Sequence, residues 1–176
     1  MNERQQKERW VQGLLDEQGL DALLLQRASS FAWYTSGAAS FVNTATDFGA
    51  ASLLLTPQGN YLLANNIEAT RLKKEEKLLE QGFQLVAPFW YEATDPVAEL
   101  TRDLRLCSDS PYPGAADLSA EIARLRARLT PEEGERFRRL GWLCAEAMKA
   151  TIQQVRPGQS EYEIAALLAQ ETLARG

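Results

Sequence analysis

Apolar residues recur along the chain with two different periods, and the change from one to the other divides it. Residues 3–18 carry Trp10, Val11, Leu14 and Leu15 at helical spacing, with Gly19 where a helix would stop. Ala22-Leu23-Leu24-Leu25 follows as a short unbroken apolar run, the pattern of a strand covered on both faces. SSFAWYTSG (29–37) predicts a short helix or turn with a serine as candidate cap, leading into a loop. AASLLLT (50–56) and NYLLAN (60–65) flank Pro57-Gln58-Gly59; proline presets the turn and glycine tolerates positive φ, so a β-hairpin is predicted. Residues 66–82 read as one charged surface helix with a ragged apolar face (Ile67, Leu72, Leu78, Leu79) and Gly82 as its stop. A strand starts at Phe83 and loses its pairing at Pro88. Asp95-Pro96 opens another helix, with Asp as cap and Pro at the first helical position, and LCSD (106–109) predicts a last short strand.

Beyond residue 110 the pattern changes. SPYPGAAD (110–117) reads as a loop or linker. Helical periodicity then runs through Ile122, Leu125 and Leu129. Thr130-Pro131-Glu132-Glu133 forms a capping box, and the helix it opens keeps Phe137, Leu140, Leu143, Met148, Ile152 and Val155 near one face until Arg156-Pro157-Gly158. Ser160-Glu161-Tyr162-Glu163 is a second capping box, followed by Ile164, Leu167 and Leu168. The expected organisation is an α/β domain over 1–110, a linker and connecting helix over 111–130, and consecutive helices over 131–176. The fold class is α/β, with a mixed sheet containing an antiparallel hairpin and helices on both faces.

Composition then narrows the chemistry. The 176 residues carry 19 basic against 24 acidic side chains, a net charge of −5 without a block of one sign. Nucleic-acid binding rests on clustered Lys and Arg, so no nucleic-acid partner is expected. No apolar stretch approaches the ~20 residues that cross a bilayer, and MNERQQKERW lacks the apolar core of a signal peptide. A cytoplasmic chain with no membrane partner is expected. Cys107 and Cys144 form no CxxC pair and are expected to be buried thiols. The chain has no histidine, which removes Ser-His-Asp and Cys-His arrangements and every metal site that needs an imidazole.

Three groups of residues are candidates for function. Phe31-Trp33-Tyr34 and Phe89-Trp90-Tyr91 read either as packing or as a wall for an apolar group such as a proline ring. Asn65-Asn66-Ile67-Glu68 stands where a strand ends and a helix begins; helix capping explains it, while strand ends also face binding crevices in α/β folds. The pairs Asp16-Glu17, Glu75-Glu76, Glu132-Glu133 and Glu161/Glu163 read as solvated carboxylates on helix surfaces or in capping turns. Asn43 and Arg71 are single polar residues without a spacing partner, and no phosphate-binding glycine loop is present.

The segments GLDALLL, SSFAWYTSGAASFVN and ASLLLTPQGNYLLANNIEATRL, in that order, resemble the N-terminal domain of the creatinase and prolidase group, which includes Xaa-Pro aminopeptidases and Xaa-Pro dipeptidases. RPGQSEYEIA resembles the opening of that group's "pita-bread" catalytic domain. Ser30 departs from the Asn that many members carry ahead of the aromatic turn. The resemblance implies a ribonuclease H-like motif in the sheet and a parent metallopeptidase that hydrolyses the bond before proline in short peptides. Such a parent uses two divalent ions (Mn, Co or Zn) held by two Asp, one His and two Glu. It implies no cofactor and no catalytic or metal residue in this chain, which would stop at the start of the catalytic domain. The expected role is non-catalytic: homodimerisation, and rimming the active site through Trp33, Tyr34, Asn66 and Glu68. The alternative is a peptide- or protein-binding module of a family member that has lost the metal, as in a histone-chaperone subunit.

Overall fold

A computed structural model describes residues 2–176, which fall into two compact units divided between Arg128 and Leu129. The first unit opens with α1 (Glu3–Gln18), capped by Asn2 and closed by Gly19 in the left-handed region at φ 64°. Then follow β1 (Ala22–Arg27), α2 (Ala28–Tyr34), β2 (Phe48–Thr56), β3 (Gly59–Ala64), α3 (Asn66–Lys74), β4 (Gln84–Val86), α4 (Pro96–Leu100), β5 (Leu106–Ser108), β6 (Ala116–Asp117) and α5 (Ser119–Arg126). The six strands form one mixed sheet in the order β4-β3-β2-β1-β5-β6. β1–β2 and β2–β3 are antiparallel; β1–β5, β3–β4 and β5–β6 are parallel.

The run Ala22–Leu25 is fully buried because β1 is central and both its faces are covered. Leu23 and Leu25 point with Leu53, Leu55 and Leu62 into a core closed by Val11 and Leu15 of α1, Phe31 of α2, Leu72 of α3 and Ile122 of α5. Leu24, Leu54 and Leu63 point the other way, against Val97 and Leu100 of α4. Helices thus cover both faces, as the alternation of side chains along a strand requires.

Four local expectations change. The charged helix ends at Lys74, and Lys77 adopts φ 51° so that the chain turns and Leu78 enters the core. Leu72 and Leu78 are six residues apart, so a continuous helix would point them about 120° apart. The serine cap of α2 is absent: Arg27 holds the N-cap position, and buried Ser30 instead accepts from the Arg126 guanidinium at 2.9 Å. SPYPGAAD lies inside the first unit and ends in β6, and α5 beyond it delivers Ile122 and Leu125 to the same core. Cys107 is buried as expected, but Cys144 is exposed.

The second unit is an αα-hairpin of α6 (Pro131–Gln154) and α7 (Glu161–Leu173). Both capping boxes form, Thr130 with Glu133 and Ser160 with Glu163. The helices are tied by Gln154 Nε2 donating to Glu171 at 2.6 Å. Among its described residues only Thr130, Glu133, Ala147 and Thr151 are buried, while Phe137, Leu140, Trp142, Met148 and Ile152 are exposed.

Candidate functional site

The parallel strands β1, β3, β4 and β5 end at one edge of the sheet, where antiparallel β2 begins. This edge is where open α/β sheets expose their binding crevices. The first turns of α3 organise it. Asn65 caps the helix, its side-chain oxygen accepting from the N–H groups of Ile67 and Glu68 at 3.0 Å each. Asn66, next in sequence, grips the segment after β4. Its N–H donates to the Pro88 carbonyl at 3.0 Å, and its side-chain oxygen accepts from the Trp90 N–H at 3.0 Å. The gripped turn carries Phe89, Trp90 and Tyr91. Phe89 and Tyr91 stack at 5.5 Å with planes 15° apart, and Trp90 stands edge-on to Tyr91 at 5.7 Å. About two-thirds of the Trp90 and Tyr91 surfaces remain exposed (66% and 65%).

One turn further on, α3 grips a second segment. Arg71 Nε donates to Glu68 at 2.9 Å, and its Nη1 donates to the Ala39 carbonyl at 3.1 Å. Glu76 accepts from the Ala39 N–H at 3.0 Å and lies 3.5 Å from Arg71. Both halves of the Ala39 backbone are therefore held by charged side chains, the stronger class of hydrogen bond. Ser40 is buried beside it, its carbonyl accepting from Ala50 N–H at 2.7 Å. Gly49 makes room there: a Cβ on it would lie 2.1 Å from Ser40 Oγ. Phe41 and Val42 follow directly and are exposed. The α3 region thus fixes two segments that carry exposed apolar side chains, 39–42 with Phe41 and Val42, and 89–91.

Of the four residues singled out from sequence, Asn66 and Glu68 meet in this arrangement, both engaged in holding neighbouring protein. Trp33 and Tyr34 lie in the core (7% and 3% exposed). The fully buried Lys7 donates to the Trp33 carbonyl and to Glu3, at 2.6 Å each, and its ammonium sits 5.5 Å from the Trp33 ring centre. Tyr34 packs edge-on to Phe83, and burial, reinforced by Glu8, pushes its hydroxyl pKa up. Arg71 and Glu76, which in sequence read as an isolated cation and a solvated carboxylate, belong to the arrangement as well. The Glu68–Arg71 spacing of three was the available signal; Ala39, more than thirty residues away, left none.

The edge offers aromatic and apolar surface; Glu68 and Glu76 pair with Arg71, whose Nη2, like the Ser40 hydroxyl, is buried without a hydrogen-bond partner among the described residues. The residues present do not fit a metal centre: the chain lacks imidazole, and among the described residues no three His, Cys, Asp or Glu side chains converge as ligands. Also among the described residues, no helix is long and apolar enough to cross a membrane.

Sheet order, covering helices and trailing αα-hairpin together define a fold of the prolidase kind. The chain is similar to the Xaa-Pro dipeptidase from Bacillus anthracis (TM-score 0.71, 17% identity), covering 98% of this chain and 50% of that one. It is equally similar to the prolidase from Pyrococcus horikoshii (TM-score 0.71, 16% identity, 97% and 49% covered). The X-Pro aminopeptidase from Thermotoga maritima shares the fold too (TM-score 0.70, 18% identity, 97% and 49% covered). The chain spans about half the length of these structures, and the likeness is one of fold. No protein-family model matches the chain, and no curated protein matches its sequence.

Proposed function

We propose that this chain is the non-catalytic N-terminal part of an Xaa-Pro peptidase, and that its sheet edge helps form the rim that admits short proline-containing peptides. The observation that carries this reading is the double grip of α3, which holds the 39–42 and 89–91 segments as a fixed apolar edge. Fold likeness along nearly the whole chain to half of several such peptidases supports it. In this reading Asn66 and Glu68 act as positioning residues, and Trp33 and Tyr34 serve as core packing of the same domain. Residues 1–128, with β6 and α5 included, form the creatinase-like domain, and 131–176 are the first helices of a catalytic domain. That domain would supply the ligands for two divalent ions. The parent is a cytoplasmic homodimer.

The exposed aromatic stack also serves the alternative reading, a peptide- or protein-binding module without hydrolysis. Proline release from Gly-Pro and Ala-Pro substrates, with manganese or cobalt added, tests the first reading. The 176-residue chain is expected to release none, and metal-dependent turnover would contradict its non-catalytic role. Fused to a prolidase catalytic half that needs its N-terminal partner, the chain is expected to restore turnover. Replacing Trp90 and Tyr91 by Ser should then raise KM more than it lowers kcat, because rim contacts act on binding. No restored turnover, with peptides still binding to the isolated chain, favours the alternative.

A further inference from the structure

We propose that the cleft between α2 and α5 is a second binding site, for a small carboxylate, with Arg126 as its anchor. The cleft has a volume of about 410 Å³ and is lined by Arg27, Ser29, Asp47, Ser119, Ala123 and Arg126, among others. Its two guanidinium groups differ. Arg27 is answered: it donates to the Asp47 carboxylate at 3.0 Å and to the Asp109 carbonyl at 3.0 Å. Arg126 is half-buried and has no carboxylate partner among the described residues. Its Nη1 donates to the hydroxyls of Ser29 and Ser30, at 2.8 and 2.9 Å. A guanidinium has five N–H groups in a rigid plane, so Nε and Nη2 remain available. Ser29, used here as an acceptor, keeps its own proton to donate. Ala123 lies one turn before Arg126 on α5 and is too small to fill the space.

The charges select the ligand. Asp47 cancels Arg27, which leaves the single positive charge of Arg126. Asp117, close enough to Arg27 to feel its charge, is kept ionised by hydrogen bonds from Ser119 that lower its pKa. A dianion would bring a second negative charge against Asp47 in the cleft wall. A monoanionic carboxylate matches the one free charge, and its two oxygens match the edge of the guanidinium. The site is independent of the peptidase reading, since none of its residues belongs to the α3 rim.

Titration of the full chain with N-acetylglycine, and separately with inorganic phosphate at equal ionic strength, tests the site by amide chemical shifts. Saturable N-acetylglycine binding centred on residues 29 and 119–126 is expected, with weaker phosphate binding. R126Q should weaken binding at least tenfold. Because R126Q also removes a tie between α2 and α5, A123E is the deciding variant. It supplies a built-in carboxylate three residues before Arg126 without touching the serine contacts, and should abolish binding without lowering the melting temperature. Absence of saturation, tighter binding of phosphate than of N-acetylglycine, or an A123E chain that titrates like the parent would overturn the proposal.

Discussion

The two units read alike in sequence and differ in what their apolar faces meet. In the first, every strong apolar period finds a partner inside the same unit: α1, α2, α3 and α5 lie on one face of the sheet and α4 on the other. In the second, the caps and spacing are at least as clear, yet α6 leaves Phe137, Leu140, Trp142, Met148 and Ile152 in solvent. Periodicity reveals that a helix has an apolar face. It does not reveal whether the covering surface belongs to the same chain.

The sharpest contrast comes from core truncation. Leu53→Ala removes a fully buried side chain from the first unit's core and should cost about 2–5 kcal/mol in a urea titration. Trp142→Ala, at a position 64% exposed, should change stability by no more than about 0.5 kcal/mol. Comparable losses from both would show that α6 is covered after all.

The cysteines report on the same division. Burial pushes the Cys107 thiol up to about 12, whereas Cys144 is exposed. The thiolate is the reactive form, so in the native chain a thiol reagent should modify Cys144 at least about a hundredfold faster. Mass spectrometry of the labelled peptides reads the ratio, and near-equal rates would mean that the first unit opens as easily as the second.

Within the first unit, the grip on Ala39 can be broken by Arg71→Leu. The substitution leaves Glu68 and Glu76 without their cation and the Ala39 carbonyl without a donor, at a cost of about 1–3 kcal/mol. Proteolysis should then speed up in the 41–47 segment and stay unchanged at 89–91, which Asn66 holds separately. Cleavage that accelerates equally in both segments would argue against two independent grips.

A smaller effect is expected at acid pH. Hydrogen bonds from the Arg105 side chain and backbone lower the Asp21 carboxyl pKa from 3.8 to about 2. A carboxylate depressed in the folded state adds stability that is complete above its unfolded value and disappears as pH falls through the folded value. The stability advantage of the parent over Asp21→Asn should therefore be constant above about pH 5, fall progressively as pH drops through about 2, and vanish by about pH 1. An advantage that persists undiminished at about pH 1 would mean that the Asp21 charge is not what binds Arg105.

Much of this fold was legible because local chemistry and tertiary structure agree. Gly19 stops α1, the Pro57–Gly59 turn joins β2 to β3, and the threonine and serine capping boxes open α6 and α7 where expected. The failures are places where a distant partner decides. The helix at 66–82 gives way because Leu78 is drawn into a core assembled from α1, α2 and the sheet. Ser30 is not a cap because Arg126, 96 residues away, takes its hydroxyl. At the sheet edge, Asn66 and Glu68 stood out through their position at a strand end. Arg71 and Glu76 did not, because their partner is the backbone of Ala39, and a backbone group leaves no mark in the sequence.

The central claim is that one unit is a self-sufficient α/β fold and the other a helical hairpin whose apolar face is left exposed. Amide hydrogen exchange of the intact chain tests it most directly, because protection tracks the free energy of local opening. Amides of β1, β2 and β3 should exchange only with global unfolding. Those of α6 and α7 should exchange orders of magnitude faster, slowed mainly near Ala147 and Thr151 where burial is retained. Uniform, strong protection from α1 through α7 would contradict the account and make the hairpin part of a complete structure.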